Sequence, residues 1–215
     1  MEIYETEEEQ LEALKRWWKE NGQSTIVGLI LGIAVILGWN FWQDHKRSQT
    51  LQASALYSQL IQAIGADKKE SAEKLAERIK EQYPKTEYAA YSGLFLAKIK
   101  VQQGDVAKAQ TILKEIAAGP NNELSNIAKI RQVRLMLASG EYEQGLQLVN
   151  DVDPATSSSF SGNYDELVGD LYVALDRLDQ ARSSYQKALE SGYKSPLLQF
   201  KIDDLTASEK IEIQK

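Results

Sequence analysis

The chain has 215 residues, 31 acids against 25 bases, a net charge of −6, no cysteine and one histidine. No stripe of clustered Lys and Arg is present to displace counterions from phosphates, so nucleic acid is not an expected partner. Without cysteine there is no disulfide, thiolate nucleophile or thiolate metal site. His45, alone in the run Asp44-His45-Lys46-Arg47, reads as a solvated polar flank, and no cofactor is expected.

Residues 1–23 read as an acidic leader passing into an amphipathic helix, with seven acids against three bases before residue 22. Thr6-Glu7-Glu8-Glu9 fits a capping box, in which a hydroxyl takes an orphan N–H and a Glu three residues on reciprocates. Acids crowd the first turns and Lys15, Arg16 and Lys19 the last, as the helix dipole favours. Leu11, Leu14 and Trp18 share one face, suited to a membrane surface or a partner helix.

Between Glu20 and Asp44 lie 23 uncharged residues. At about 1.5 Å per helical residue they reach roughly 34 Å, enough for a hydrocarbon core of about 30 Å, and residues 24–43 are expected to span a membrane. All four tryptophans flank this run, Trp17 and Trp18 before it and Trp39 and Trp42 after it. Indoles settle at headgroup level, where a ring and an N–H donor are both satisfied, so the pairs read as two interfacial belts. A soluble core helix and a signal peptide are the alternatives. Trp39-Asn40-Phe41-Trp42-Gln43 offers no small-x-small cleavage site, which argues against the latter. Gly28 and Gly32 form a G-x-x-x-G pair on which another membrane helix can pack closely. Three bases before the span against two behind it favour a cytoplasmic N-terminus by a narrow margin.

From Ser48 onward helical periodicity is continuous. Leu51, Ala55, Leu60, Ile61 and Ile64 form a stripe closed by Gly65, and Ala72, Leu75, Ala76 and Ile79 form a second, ended by Tyr83-Pro84. Laid against itself at an offset of 36, the chain aligns Gly104, Gly140 and Asp176 at a turn. Ile99, Leu135 and Leu171 align before it. Val106, Tyr142 and Leu178, the small residues Ala109, Gly145 and Ala181, and then Leu113, Val149 and Tyr185 align after it. Each unit is a helix, a tight turn and a second helix, with small residues where paired helices touch, so the expected fold is all-α, a solenoid of helical hairpins over residues 44–205.

The stretch from Asn150 to Gly162 breaks the rhythm. An EF-hand loop starting at Asp151 would need Gly at Thr156 and Glu at Gly162, so the stretch reads as a connector and not a calcium site. After Pro196, a helix carrying Leu197, Leu198, Ile202 and Leu205 is expected to cap the stack, and residues 206–215 to form a flexible tail.

These residues resemble the tetratricopeptide family, whose pattern has a small residue and then Tyr in the first helix, Ala followed four later by an aromatic in the second, and Pro at the close. Val168-Gly169-Asp170-Leu171-Tyr172, then Ala181, Tyr185, Ala188 and Pro196, follow it well; Ala97, Ala109 and Pro120 follow it in part, and the middle unit has Gln132 where an apolar residue is expected. The resemblance implies a concave protein-binding groove made by the first helices. Its positions fall on Tyr91, Leu94, Lys98 and Val101, then on Ile127, Ile130, Arg134 and Leu137. Lys98 and Arg134 align one repeat apart, where they suit a carboxylate or acidic segment.

Met1-Glu2-Ile3-Tyr4-Glu5, Lys15-Arg16-Trp17-Trp18, Glu20-Asn21-Gly22, the Gly-spaced span and Gly38-Trp39, followed by the repeats, resemble the bacterial YfgM family over essentially the whole length. The resemblance implies an inner-membrane protein with a periplasmic C-terminal domain, associated with the SecYEG translocon and the chaperone PpiD and acting on unfolded exported chains. A scaffold for a secretion or division complex is the other non-catalytic reading. An enzyme is not expected, since the common constellations of nucleophile, base or metal are missing.

Overall fold

Repeating apolar stripes and left-handed turns make the described residues helical apart from their connectors. The computed structural model describes the backbone of residues 7–212 and the side chains of residues 9–205. Thr6 of the expected capping box and the opening Met1-Glu2-Ile3-Tyr4-Glu5 lie outside the described residues, as do the side chains of the expected tail. The helices are α1 (Glu7–Gly65), α2 (Lys69–Gln82), α3 (Glu87–Gln102), α4 (Val106–Ala117), α5 (Asn122–Ser139), α6 (Tyr142–Asn150), α7 (Pro154–Ser157), α8 (Ser161–Ala174), α9 (Leu178–Glu190) and α10 (Leu198–Glu212), with a 3-10 turn at Ser158–Phe160. Two units result, residues 1–52 and residues 53–215.

The first unit is the leading part of α1. The sequence divides leader, span and first domain stripe, yet Glu7–Gly65 is one unbroken helix. Asn21 Nδ2 donates to the Trp17 carbonyl at 3.2 Å and Thr25 Oγ1 to the Asn21 carbonyl at 2.9 Å, so polar residues at the leader–span boundary bond back onto the preceding turn and do not interrupt it. α1 is long and apolar enough to cross a membrane, and none of its most apolar stretch is covered by protein. Trp17 and Trp18 lie 6.3 Å apart, Trp39 and Trp42 5.3 Å apart, and Lys46 Nζ sits 5.5 Å from the Trp42 ring centroid. Gly22 is buried because the Trp18 indole lies flat on it; an added Cβ would stand 3.2 Å from that ring. Around Gly28 and Gly32 an added Cβ meets open space, so within this chain they pack nothing.

The second unit is a row of helical hairpins. Gly104, Gly140 and Asp176, aligned by sequence at the turn, all adopt left-handed backbone, with φ of 83°, 80° and 57°. Each turn is a Schellman motif, in which the residue after the left-handed one donates its N–H five residues back: Asp105 to Lys100, Glu141 to Met136 and Arg177 to Tyr172. A fourth such turn precedes them. Asp67 has φ 52° and Lys68 N–H donates to the Ala63 carbonyl, so residues 53–65 of α1 pair with α2 as a further hairpin. The expected stripe in this part of α1 is corrected accordingly: Leu51, Ala55 and Ile61 are exposed, and burial falls on Ala53, Leu60 and Ala63, with Leu56, Tyr57 and Ile64 partly covered.

Packing follows the small residues. Ala109 and Ala181 are fully buried, and an added Cβ at Gly145 would stand 3.0 Å from Leu171 of α8. Gly169 is more tightly placed, since its added Cβ would fall 2.2 Å from the Tyr185 ring. The stretch expected as a connector holds α7 and the 3-10 turn. Asp153 caps α7 by accepting from Ala155 N–H at 2.9 Å, and Pro154 supplies its first residue. Buried Asn126 fastens this insert, donating to the Thr156 carbonyl at 3.0 Å and accepting from Tyr164 Oη at 2.8 Å. Burial pushes the Tyr164 pKa up to about 12.

At the far end α10 closes the stack through Leu198 and Leu205, which join Ala181, Tyr185 and Ala188 in one apolar cluster. A polar lock accompanies it. Lys201 Nζ lies 2.9 Å from Glu166 Oε1 and 2.7 Å from Asp170 Oδ1, Ser195 Oγ donates to Glu166 at 3.0 Å, and Tyr185 Oη donates to Asp170 at 2.7 Å. Burial alone would pull the Lys201 pKa down; the two carboxylates outweigh it, so it lies above the usual lysine value. Burial pushes Glu166 up, and Lys201 with Ser195 and Tyr193 outweighs that and holds it below the usual range.

Candidate protein-binding site

The first helices of the hairpins touch in sequence along one side of the second unit. α3 meets α5 and α5 meets α8, while the end of α1 meets α3 through Tyr57, whose ring lies 5.4 Å from Tyr88, 6.0 Å from Tyr91 and 6.4 Å from Phe95. Burial first, then Tyr91 and Tyr88, raise the Tyr57 pKa, consistent with rings closing on one another.

The eight groove positions divide by depth. Leu94 and Ile130, expected to offer contact, are 7% and 6% exposed and form the floor, because each packs into the core under its own hairpin. Tyr91, Ile127 and Leu137 are partly exposed walls, and Lys98, Val101 and Arg134 are open to solvent. Three of these converge: Lys98, Val101 and Arg134 line one cleft of about 290 Å³ with Ala97 and Arg131, floored by Leu113 of α4.

Arg131 escaped the sequence reading because it is one position off the groove register. Its guanidinium donates to the Leu94 carbonyl at 3.0 Å, tying α5 to α3 and lying beside Arg134. Burial, then the Arg134 charge, lower the Arg131 pKa from its usual value. Among the described residues neither Lys98 nor Arg134 has an acid within ion-pair distance, so the cleft holds uncompensated positive charge in a chain that is acidic overall.

The fourth turn extends the register at one end and the repeat extends it at the other. Stepping back from Asp67 puts Tyr57, Ile61 and Ile64 at the positions of Leu94, Lys98 and Val101; stepping 36 forward from α5 puts Asn163, Glu166, Asp170 and Val173 on the row. The face is therefore graded. It is aromatic and aliphatic at the α1–α3 seam, cationic at the α3–α5 seam, and acidic on α8, where Lys201 neutralises Glu166 and Asp170. Besides Arg131, sequence reasoning missed Tyr57, Tyr88 and Phe95, and a repeat search anchored on Asp67 would have found Tyr57.

A family model for the tetratricopeptide repeat-like domain matches residues 15–207. Curated relatives named ancillary SecYEG translocon subunit are similar over most of the chain. The protein of Haemophilus influenzae is 34% identical over 188 residues, covering 86% of this chain and 90% of its own. That of Aggregatibacter actinomycetemcomitans is 31% identical, covering 93% and 97%, and that of Escherichia coli 29% identical, covering 96% and 100%. With an apolar α1 able to cross a membrane followed by hairpins closed by Schellman turns, and with that match over nearly its full length, the chain belongs to the family of ancillary SecYEG translocon subunits with a tetratricopeptide repeat-like domain.

Proposed function

We propose that this protein is a single-pass inner-membrane component of the SecYEG translocon, with its N-terminus in the cytoplasm and residues 44–205 in the periplasm. There it binds unfolded exported chains alongside a PpiD-type chaperone. The relatives' shared name supports the translocon, and the span together with the Trp belts supports the tether. The observation that carries protein binding is the row of exposed Val101 and partly exposed Tyr91, Ile127 and Leu137 around the uncompensated Lys98 and Arg134. Tethering such a face beside a translocation pore raises its effective concentration for an emerging chain to the millimolar order without any new contact. Gly28 and Gly32, open on the span, are the surface through which α1 docks on a neighbouring membrane helix.

The test is the full chain carrying Lys98→Glu with Arg134→Glu, purified in mild detergent and offered a reduced, unfolded secretory protein. Capture falls at least fivefold, while helicity and co-purification with SecY are retained. Unchanged capture contradicts the groove.

A further inference from the structure

The grading of the first-helix face specifies what kind of segment it holds. We infer that the groove reads a two-part signal in an extended chain: a large aromatic or aliphatic side chain at the Tyr57–Tyr91 seam, and an internal Asp or Glu side chain, four residues away, between Lys98 and Arg134. This rests on the protein-binding reading above and deepens it.

The apolar part follows from the rings. Tyr57 and Tyr91 stand 6.0 Å apart, both only partly covered, and beside them Ile61 is 42% exposed. Rings at this spacing offer edges and faces to a further aromatic or a branched aliphatic group. The acidic part follows from charge. Lys98 and Arg134 have no carboxylate among the described residues, and Arg134 stands beside Arg131, whose guanidinium is already held by the Leu94 carbonyl. An incoming carboxylate relieves that repulsion and takes hydrogen bonds from both charged groups. Lys201 and Lys100 differ: the first is occupied by Glu166 and Asp170, the second is buried and occupied by Glu73 of α2.

The spacing follows from helix geometry. From Tyr91 to Lys98 is about 10 Å along α3, and the neighbouring seam is about one interhelical distance, 8–10 Å, to the side. The two subsites are thus about 13–14 Å apart, which four extended residues span at about 3.3 Å each. A side chain is favoured over a terminal carboxylate because the row continues past Arg134 to Leu137 and Val173, the latter 40% exposed, so the bound chain has surface to follow on both sides.

The experiment uses the full chain in nanodiscs and labelled, end-blocked twelve-residue peptides read by fluorescence anisotropy. One peptide carries Phe and Asp four apart in a neutral Ser/Gly background. Others place the Asp one or eight residues from Phe, replace it by Asn, or replace it by a free C-terminal carboxylate at the same distance. The four-residue peptide binds at least fivefold more tightly than the other spacings, the Asn version and the C-terminal version. Lys98→Gln with Arg134→Gln reduces the Asp-over-Asn preference to about one, whereas Tyr91→Ala weakens the Asp and Asn peptides equally. Binding that ignores spacing or charge, or that prefers the C-terminal carboxylate, overturns the two-part signal and leaves groove binding standing. If no Phe-bearing peptide binds at all, both this inference and the protein-binding reading fall.

Discussion

Replacing Gly169 by alanine tests the hairpin packing most sharply, because the same substitution elsewhere has the opposite sign. An added Cβ would stand 2.2, 2.4 and 2.9 Å from three Tyr185 ring carbons, where ordinary contact is 3.5 Å or more. The ring is 2% exposed and its hydroxyl is bonded to Asp170, so it retreats only by compressing the α9–α10 cluster and stretching that bond. Overpacking of this kind costs about 1–3 kcal/mol and the weakened buried hydrogen bond about 1. The better helix propensity of alanine returns about 1 kcal/mol. The net loss of about 1–3 kcal/mol lowers Tm by about 2–12 °C in a domain of this size, read by circular dichroism at 222 nm on the detergent-solubilised chain. Gly65, which ends α1 with open space around it and no positive φ, gains from alanine by about 0.5–1 kcal/mol. Removing the ring with Tyr185→Ala makes Gly169→Ala harmless in the double variant. A Gly169→Ala protein as stable as the parent would refute the close α8–α9 approach.

Three further outcomes follow from the same geometry. Glu166 has its pKa depressed in the fold, so its contribution is complete above its unfolded value near 4.5 and is lost as pH falls below that; Lys201→Met raises the Glu166 pKa and moves the acid loosening of α10 to higher pH, measured by hydrogen exchange of α10 amides. Gly104→Ala strains a φ of 83° and costs about 1–2 kcal/mol, while Asp67→Gly relieves a φ of 52° and stabilises by up to about 1 kcal/mol, both read from thermal melts. Because the chain has no cysteine, Lys114→Cys on the exposed side of α4 is labelled by a membrane-impermeant maleimide from the periplasmic side in intact cells; labelling only after the inner membrane is opened would reverse the orientation.

How much the sequence disclosed depended on whether the determining physics is local. The three turns at Gly104, Gly140 and Asp176 were legible because a left-handed residue leaves a local mark, a Gly or Asp at constant spacing. Asp67 was hidden by Gly65 two residues earlier, a stronger turn signal that the fold leaves in ordinary helical conformation. With that turn missed, the first hairpin loses its register: of the stripe Leu51, Ala55, Leu60, Ile61 and Ile64, Leu60 and Ile64 do face inward, but Leu51, Ala55 and Ile61 are exposed. The span was plain from its uncharged length and flanking indoles, but the continuity of leader and span in one helix was not, since the polar residues near Asn21 that look like a break bond back to the helix. Lys98 and Arg134 were found because they recur at the repeat spacing. The lock of Lys201 onto Glu166 and Asp170 reaches across 31 to 35 residues and obeys no period, so nothing in the sequence announces it.

The central claim is that this face holds exported chains where they leave the translocon. A photocrosslinking residue placed in turn at Val101, at Leu137 and, as a control on α4, at Lys114 tests it in native membranes with an export-arrested secretory chain. The account gives adducts to the arrested chain from Val101 and Leu137 and few from Lys114; equal yields from all three, or adducts from Lys114 alone, would contradict it.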